Sequence, residues 1–366
     1  MTSRQKHNDP KAVLTALETL SGVQVRRIWT TRFGRSNLLG RSFDYLTFYF
    51  SAFFCLLKNL KKGDAVVAET DPPLISVIAM TAAKLKGARL INWTQDIFPE
   101  VAVNLRVRIV LIFSALFRGA RNLSLKSASM NIAIGEKMAA LIKKQGVEDV
   151  RVCVIHNWSD GNQIRPEARE GSPLREEWGL KGKFVVGYSG NMGRAHEFNT
   201  ILGAMEILSS GPDVVFLFIG DGKQRGFVEN FCREKNITNV MFKPLQPYDR
   251  LGVTLGVADA HMVSLQPSLE GLIVPSKFYG ILAAARPVLN IGDPEGELGN
   301  LIRLAGCGAT VKPGDAPMLS QAVRDLAGDS QKTEEMGRLG RRYFEAHFDR
   351  PIALKAWYDV LQRAAE

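Results

Sequence analysis

The sequence predicts an α/β protein made of two doubly wound, mostly parallel sheets. Three observations carry that expectation. Short runs rich in Val, Ile and Phe alternate with longer helical stretches along the chain. The connections between them are short, and one Gly-, Pro- and Ser-bearing stretch without a clear strand splits the series near its middle. Alternation of this kind implies parallel strands covered by helices on both faces. A length of 366 residues suits two domains of ordinary size.

Taken in order, the expected strands are Val25–Trp29, Ala65–Glu69, Leu90–Thr94, Met130–Ile134, Val150–Ile155, Phe184–Tyr188, Val214–Ile219, Val240–Phe242, Ala260–Ser264, Val288–Ile291 and Ala309–Val311. Expected helices include Leu74–Leu85, Glu136–Lys144, Phe198–Ser209, Lys223–Lys235 and Ala316–Leu326. The linker falls near Asn157–Lys183, where Asp160, Gly161, Pro166, Gly171 and Pro173 cluster. The division read from this is 1–160, 161–348, and a last helix, 349–366, packing back across the cleft between the two domains. Ligands of such folds bind at the carboxyl ends of the strands.

Composition narrows the class. Hydrophobic residues make up 46% and charged residues 23%, which excludes a disordered or fibrous chain. Cys55, Cys153, Cys232 and Cys307 lie far apart with no C-x-x-C pair, so neither a disulfide framework nor a zinc site is expected, and a reducing compartment fits. Residues 1–160 hold 23 basic and 12 acidic side chains, a balance of +11; the remainder holds 24 and 25, a balance of −1. The first half therefore attracts anionic surfaces or ligands. No nucleic-acid motif accompanies that charge, and a nucleic-acid partner is not expected. Met1 is followed by a polar stretch without a secretory signal, and no segment reaches the about 18 apolar residues of a membrane span. Two shorter apolar runs, Leu46–Leu57 and Ile109–Phe117, are flanked by Lys58, Lys61 and Lys62 and by Arg106, Arg108, Arg118 and Arg121. They fit two readings equally: buried helices, or helices resting in a membrane interface.

Three strand–turn–helix junctions are candidates for chemistry. Ser189-Gly190-Asn191-Met192-Gly193-Arg194 follows a buried strand; its glycines admit a ligand close to the backbone, and Arg194 offers a fork for phosphate oxygens. The pattern is not the dinucleotide fingerprint. Gly220-Asp221-Gly222-Lys223 repeats the same logic and reads equally well as a plain turn. The third runs from Ser264 to Val288: a loop with Glu270, Gly271, Leu272, Ile273 and Val274, then Pro275-Ser276-Lys277 opening a small-residue helix that stops at Arg286-Pro287. Glu270 and several amides converging on one point suit a polyhydroxyl ligand that carries phosphate.

This order of features resembles glycosyltransferase family 4, retaining enzymes of GT-B fold, from about Thr30 to the end. The segment Glu270 to Val288 resembles the family's E-x7-E region, in the form found among bacterial O-antigen, capsule and exopolysaccharide transferases. The turns at 188–194 and 219–222, Val154-Ile155-His156-Asn157-Trp158 between domains, and Asn92-Trp93-Thr94-Gln95-Asp96-Ile97-Phe98-Pro99-Glu100 are similar to further family stretches. The resemblance implies transfer of a sugar from a nucleotide-diphosphate sugar to a glycan or lipid-linked acceptor, on the cytoplasmic side and peripheral at the inner membrane face. It implies no bound metal or cofactor, in keeping with the absence of a D-x-D or His/Cys cluster. It implies that Glu270 and the amides of Gly271, Leu272, Ile273 and Val274 hold the sugar and distal phosphate, that Gly190, Asn191, Met192, Gly193 and Arg194 hold the diphosphate with Lys277, and that Asp96 stands near the reacting centre.

Three positions depart from the pattern. Gly280 stands where the second glutamate belongs, Gln95 where many relatives have histidine, and the chain begins as if within the first domain, so that an inner strand and its glycine-rich loop have no counterpart and that domain is expected to be shortened. Gly280 and the missing first strand keep one alternative in view, a non-catalytic binder of nucleotide or glycan; a nucleotide-sugar isomerase of similar two-domain shape is another. Of the histidines, His7, His261 and His347 are scattered, His156 reads as structural at the domain turn, and His196 falls near the phosphate position.

Overall fold

A computed structural model describes residues 2–365 apart from Arg4, His7, Asn8, Arg32, 34–37, 169–171 and Pro212. His7 and Gly171 thus lie outside the described residues. A six-stranded parallel sheet runs in the spatial order Val240–Lys243, Val214–Ile219, Phe184–Ser189, Ala260–Ser264, Val288–Ile291, Gly308–Val311. The order reverses between Phe184–Ser189 and Ala260–Ser264, where Val186 pairs with Ala260. That junction is a topological switch point, the place where open α/β sheets form a ligand crevice.

A four-stranded parallel sheet holds Ala65–Glu69, Arg89–Thr94, Met130–Ala133 and Val152–Val154 in sequential order. The strand expected over Val25–Trp29 forms as Val23–Ile28 but does not join it. It turns back on Leu17–Leu20 as an antiparallel hairpin. The cause is local: Ser21 and Gly22 both hold positive φ (50° and 81°), the geometry of a two-residue hairpin turn that matches strand twist. Thr2–Ser3 extends this small sheet, and Gln5–Lys6 pairs with Asp9–Val13.

The apolar run at Leu46–Leu57 lies inside a longer helix, Leu38–Asn59. Ala52 and Leu56 face inward, while Leu46, Phe50 and Phe54, spaced four apart, are exposed. Phe53 packs on the core beneath. The run at Ile109–Phe117 is split between Arg108–Ile112 and Ser114–Ser127. Arg121 is buried, donating to both oxygens of Glu100 at 3.0 and 3.1 Å, and Arg118 joins the same carboxylate. Those two basic flanks therefore serve the fold, leaving Arg106 and Arg108 beside the exposed apolar residues Ile112 and Leu116. No helix among the described residues is long and apolar enough to cross a membrane.

Two helices near the end, Ser330–His347 and Arg350–Ala365, are not matched by a clear sequence signal except for the second. Arg350–Ala365 lies on the four-stranded sheet, with Ala353, Val360 and Ala364 against Ile91, Met130, Ile132 and Ile155. Trp93 stacks on Trp158 at 5.7 Å and meets Trp357 edge-on. The connecting segment is pinned from the same end of the chain: Arg341 donates to the carbonyls of Gly161, Ile164 and Ala283, and Asp349 accepts from the Gly161 amide at 2.9 Å.

Candidate functional site

The first two junctions of the sequence form one unit at the switch point. The Gly190 amide donates to the Ile219 carbonyl and the Met192 amide to the Asp221 carbonyl, both at 2.8 Å, while Gln224 returns a bond to the Met192 carbonyl. A Cβ on Gly220 would fall 2.3 Å from the Gly190 carbonyl oxygen, so glycine is required for this approach. Met192 therefore departs from its expected role. Its side chain is buried in the core and both backbone groups are engaged, so it builds the turn rather than facing the crevice. Asn191 is exposed. Arg194 reaches across the crevice to the Leu105 carbonyl, tying the turn to the other half of the molecule.

Two cations touch this unit: Arg225 donates to the Gly220 carbonyl at 3.1 Å, and Lys277 reaches the turn from the other side. Its ammonium donates to the Tyr188 hydroxyl and, at 3.1 Å, to the Asn191 carbonyl, and lies 3.8 Å from the centre of the Tyr188 ring. Gly190 leaves room for it: a Cβ there would be 2.9 Å from Lys277 Cε. Burial pulls its pKa down to about 7. Among the described residues no carboxylate pairs with it. The helix it opens runs Lys277–Ala283, so Pro275 precedes the helix rather than lying in its first turn. His196 is nearby, its ring held by the Ser264 carbonyl and its pKa lowered to about 4 by burial and by Lys277.

The Glu270 loop meets the four-stranded half directly. Ile97 donates to the Leu272 carbonyl at 3.0 Å, Asp96 bridges Ile273, and Ile273 in turn bridges Glu270. The backbones of the two expected catalytic residues thus both pair with Ile273. Asp96 is pushed up to about 6, first by burial and then by Asp71. Glu69 is raised for the same two reasons. Glu270 is also raised by burial, against a bond from the Glu297 amide, which it accepts at 2.7 Å. The amides of Leu272 and Ile273 donate to the Leu269 carbonyl, at 3.0 and 3.3 Å. They close the loop and do not converge on a ligand, which corrects the expectation for that pair. Gly271, with φ of +73°, abuts Lys137. A Cβ on Gly280 would enter ordinary contact with Leu255, Ile164 and Ser159, so the position faces the linker side.

One functional candidate has no strong sequence signal. Glu297 is buried, and its carboxylate accepts the amides of Glu136 and Lys137 at 3.0 Å each, at the start of a helix in the other half. In the sequence it reads only as an acid in a first helical turn. Gln95 and Asn157 exchange side-chain bonds at 3.1 and 3.3 Å. No group of three or more acidic, histidine or cysteine side chains with metal-holding geometry occurs among the described residues.

No protein-family model matches the chain. It is 29% identical over 334 residues to WbjE of Pseudomonas aeruginosa, a probable glycosyltransferase, covering 88% of this chain and 81% of that one. It is 25% identical over 332 residues to WcaI of Escherichia coli (strain K12), a glycosyl transferase named for colanic acid biosynthesis, covering 86% and 78%. Among solved structures, Anabaena HepE in complex with UDP superposes with a TM-score of 0.71 at 18% identity, over 88% of this chain and 84% of that one. Sucrose-phosphate synthase from Thermosynechococcus elongatus gives 0.78 at 17% identity, over 99% and 88%. Architecture and sequence likeness lead to one assignment: the chain is a GT-B-fold relative of bacterial glycosyltransferases.

Proposed function

We propose that the chain is a retaining, metal-independent glycosyltransferase of the family 4 type, acting in cell-surface polysaccharide synthesis. The observation that carries this is Lys277: a half-buried ammonium without a carboxylate partner among the described residues, beside a glycine turn at the switch point of a Rossmann-ordered sheet. Such a cation is poised for an anion, and a diphosphate supplies one. On this reading 161–348 binds the donor, 1–160 faces the acceptor, and 349–366 braces the two. Gly190, Asn191, Gly193, Arg194 and Lys277 surround the diphosphate. Glu270 accepts hydrogen bonds from sugar hydroxyls, and Asp96 lines the acceptor side. The bond from the anomeric carbon to the diphosphate oxygen breaks, a bond to the acceptor oxygen forms on the same face, and the acceptor proton passes to the leaving diphosphate.

The acceptor is a glycan or lipid-linked saccharide reached at the cytoplasmic face of the membrane. The exposed Phe50, Phe54, Ile112 and Leu116, with Lys58, Lys61, Lys62, Arg106 and Arg108 near them in sequence, support contact with anionic lipid. The test is thermal shift with UDP, GDP, ADP and dTDP and their sugars, followed by release of the nucleotide. Stabilisation by one base, lost in Lys277→Met, supports the site, since a ligand of the native state raises its apparent stability. No stabilisation by any of them overturns it.

A further inference from the structure

We infer that Glu297 is a positioning residue that fixes the donor carboxylate against the acceptor half. This rests on the reading of Glu270 given above. Two carboxylates form a relay across the cleft. Glu270 holds the amide of Glu297 at 2.7 Å, at the start of the Glu297–Ala305 helix. Glu297 then extends its own side chain to the amides of Glu136 and Lys137, at 3.0 Å each, at the start of the Glu136–Lys143 helix. Each carboxylate therefore meets unpaired N–H groups at the positive end of a helix dipole. One residue touches both partners, accepting with its side chain and donating with its backbone.

Glycine stands at both points of close approach. A Cβ on Gly296 would lie 2.7 Å from the Glu270 carboxylate, and one on Gly135 would lie 2.6 Å from that of Glu297. Gly135 is extended, with φ of −173°, so its backbone does not demand glycine. What demands it is the carboxylate. His156, 4.0 Å from Glu297 and bonded to the Ile134 carbonyl, closes the remaining side. Oε1 of Glu270 is thereby anchored on the Glu297 amide and Oε2 packs beside Gly296, which fixes the orientation of the carboxylate. Displacement of an anchored catalytic group by about 1 Å costs on the order of 100-fold in rate.

The test uses the full chain and the nucleotide sugar, among UDP-, GDP-, ADP- and dTDP-sugars, that gives the largest thermal shift; turnover is read as nucleotide release. In Glu297→Ala, kcat falls about 10- to 100-fold while donor KM stays within about threefold. Glu297→Gln, which keeps one accepting oxygen, recovers part of the loss. Gly135→Ala provides a variant in which Glu297 is present but its carboxylate is pushed off the two amides; it reproduces the kcat loss. The losses in Glu270→Gln and Glu297→Ala do not multiply in the double variant, because one acts through the other. Unchanged kcat in Gly135→Ala and in a folded Glu297→Ala, or losses that multiply with Glu270→Gln, overturn the inference while leaving the enzymatic reading intact. A wild-type chain that neither binds nor turns over any of these sugars defeats that reading, and this inference with it.

Discussion

The two sheets of this molecule use apolar residues differently. In the six-stranded half, Phe184–Ser189 and Ala260–Ser264 are buried along nearly their whole length, and glycine-bearing turns at their ends are locked by backbone bonds. In the four-stranded half, Ala65–Glu69 alternates exposed and buried, and large apolar side chains face outward, Phe50 at 66% and Ile112 at 76% exposure. The first half buries its central strands; the second displays apolar side chains at its surface. The difference teaches that apolar content alone does not locate a core, and that the basic excess of residues 1–160 sits with the half that displays its aromatics.

The comparison breaks most decisively at Glu270. Glu270→Ala lowers transfer by about 100- to 1,000-fold or more, as expected for a polar group that touches the reacting sugar. Retained activity in a folded variant would remove chemistry from the six-stranded half. In the other half, joint replacement of Phe50 and Phe54 by serine weakens binding to phosphatidylglycerol-containing vesicles by at least about tenfold, from the apolar area withdrawn. The melting temperature stays near that of the wild type. Phe53→Ala does the reverse: it costs roughly 2 kcal/mol of stability, below the value for a fully buried phenylalanine, and leaves vesicle binding intact. Equal effects of the two changes would erase the distinction between inner and outer faces of this helix.

A titration sharpens the boundary between halves. The Asp96 carboxyl is raised from 3.8 to about 6, so the native state binds its proton more tightly than the unfolded chain does. The stability this contributes is full below about pH 4 and is lost as pH rises through 6. Asp96→Asn therefore gains stability relative to wild type as pH rises from 4 to 7 in denaturant titrations, by less than the full shift would give because the side chain is partly open to solvent. A flat difference would show that the Asp96 carboxyl does not feel Asp71 and its partly desolvated setting. The smallest effect belongs to Lys277. With its pKa near 7, the free site is largely neutral at pH 8, and a diphosphate favours the ammonium form. Nucleotide binding at pH 8 then takes up part of a proton, visible in calorimetry across buffers of different ionisation enthalpy. Release or no exchange of protons would place the diphosphate elsewhere.

Much of this architecture was legible in the sequence, because buried parallel strands announce themselves. Val214–Ile219, Ala260–Ser264 and Val288–Ile291 match their expected bounds. Ser21-Gly22 is a short hairpin signal in an otherwise strand-like run, and Val23–Ile28 pairs antiparallel across it instead of joining the parallel series. Helix Ser330–His347 is mostly polar, and its buried face is built on Thr333, Gly337, Gly340 and Phe344, so small residues stand where large apolar ones would announce a helix. At the site, glycine turns and Glu270 were readable because strand–turn–helix order fixes where they fall. Which amides are engaged, as at Leu272 and Ile273, depends on loop closure. The reach of Glu297 depends on how two segments about 160 residues apart come together, and sequence periodicity carries no record of that.

The Gly135–Glu297 contact also sets a rule for modular exchange. A chimaera that grafts the six-stranded half onto a foreign four-stranded half imports the carboxylate without its glycine, or the glycine without its carboxylate. A mismatched pair either clashes or leaves two helix amides uncovered at the seam. Recombination between the halves would therefore yield folded chains at far higher frequency when positions 135 and 297 travel together.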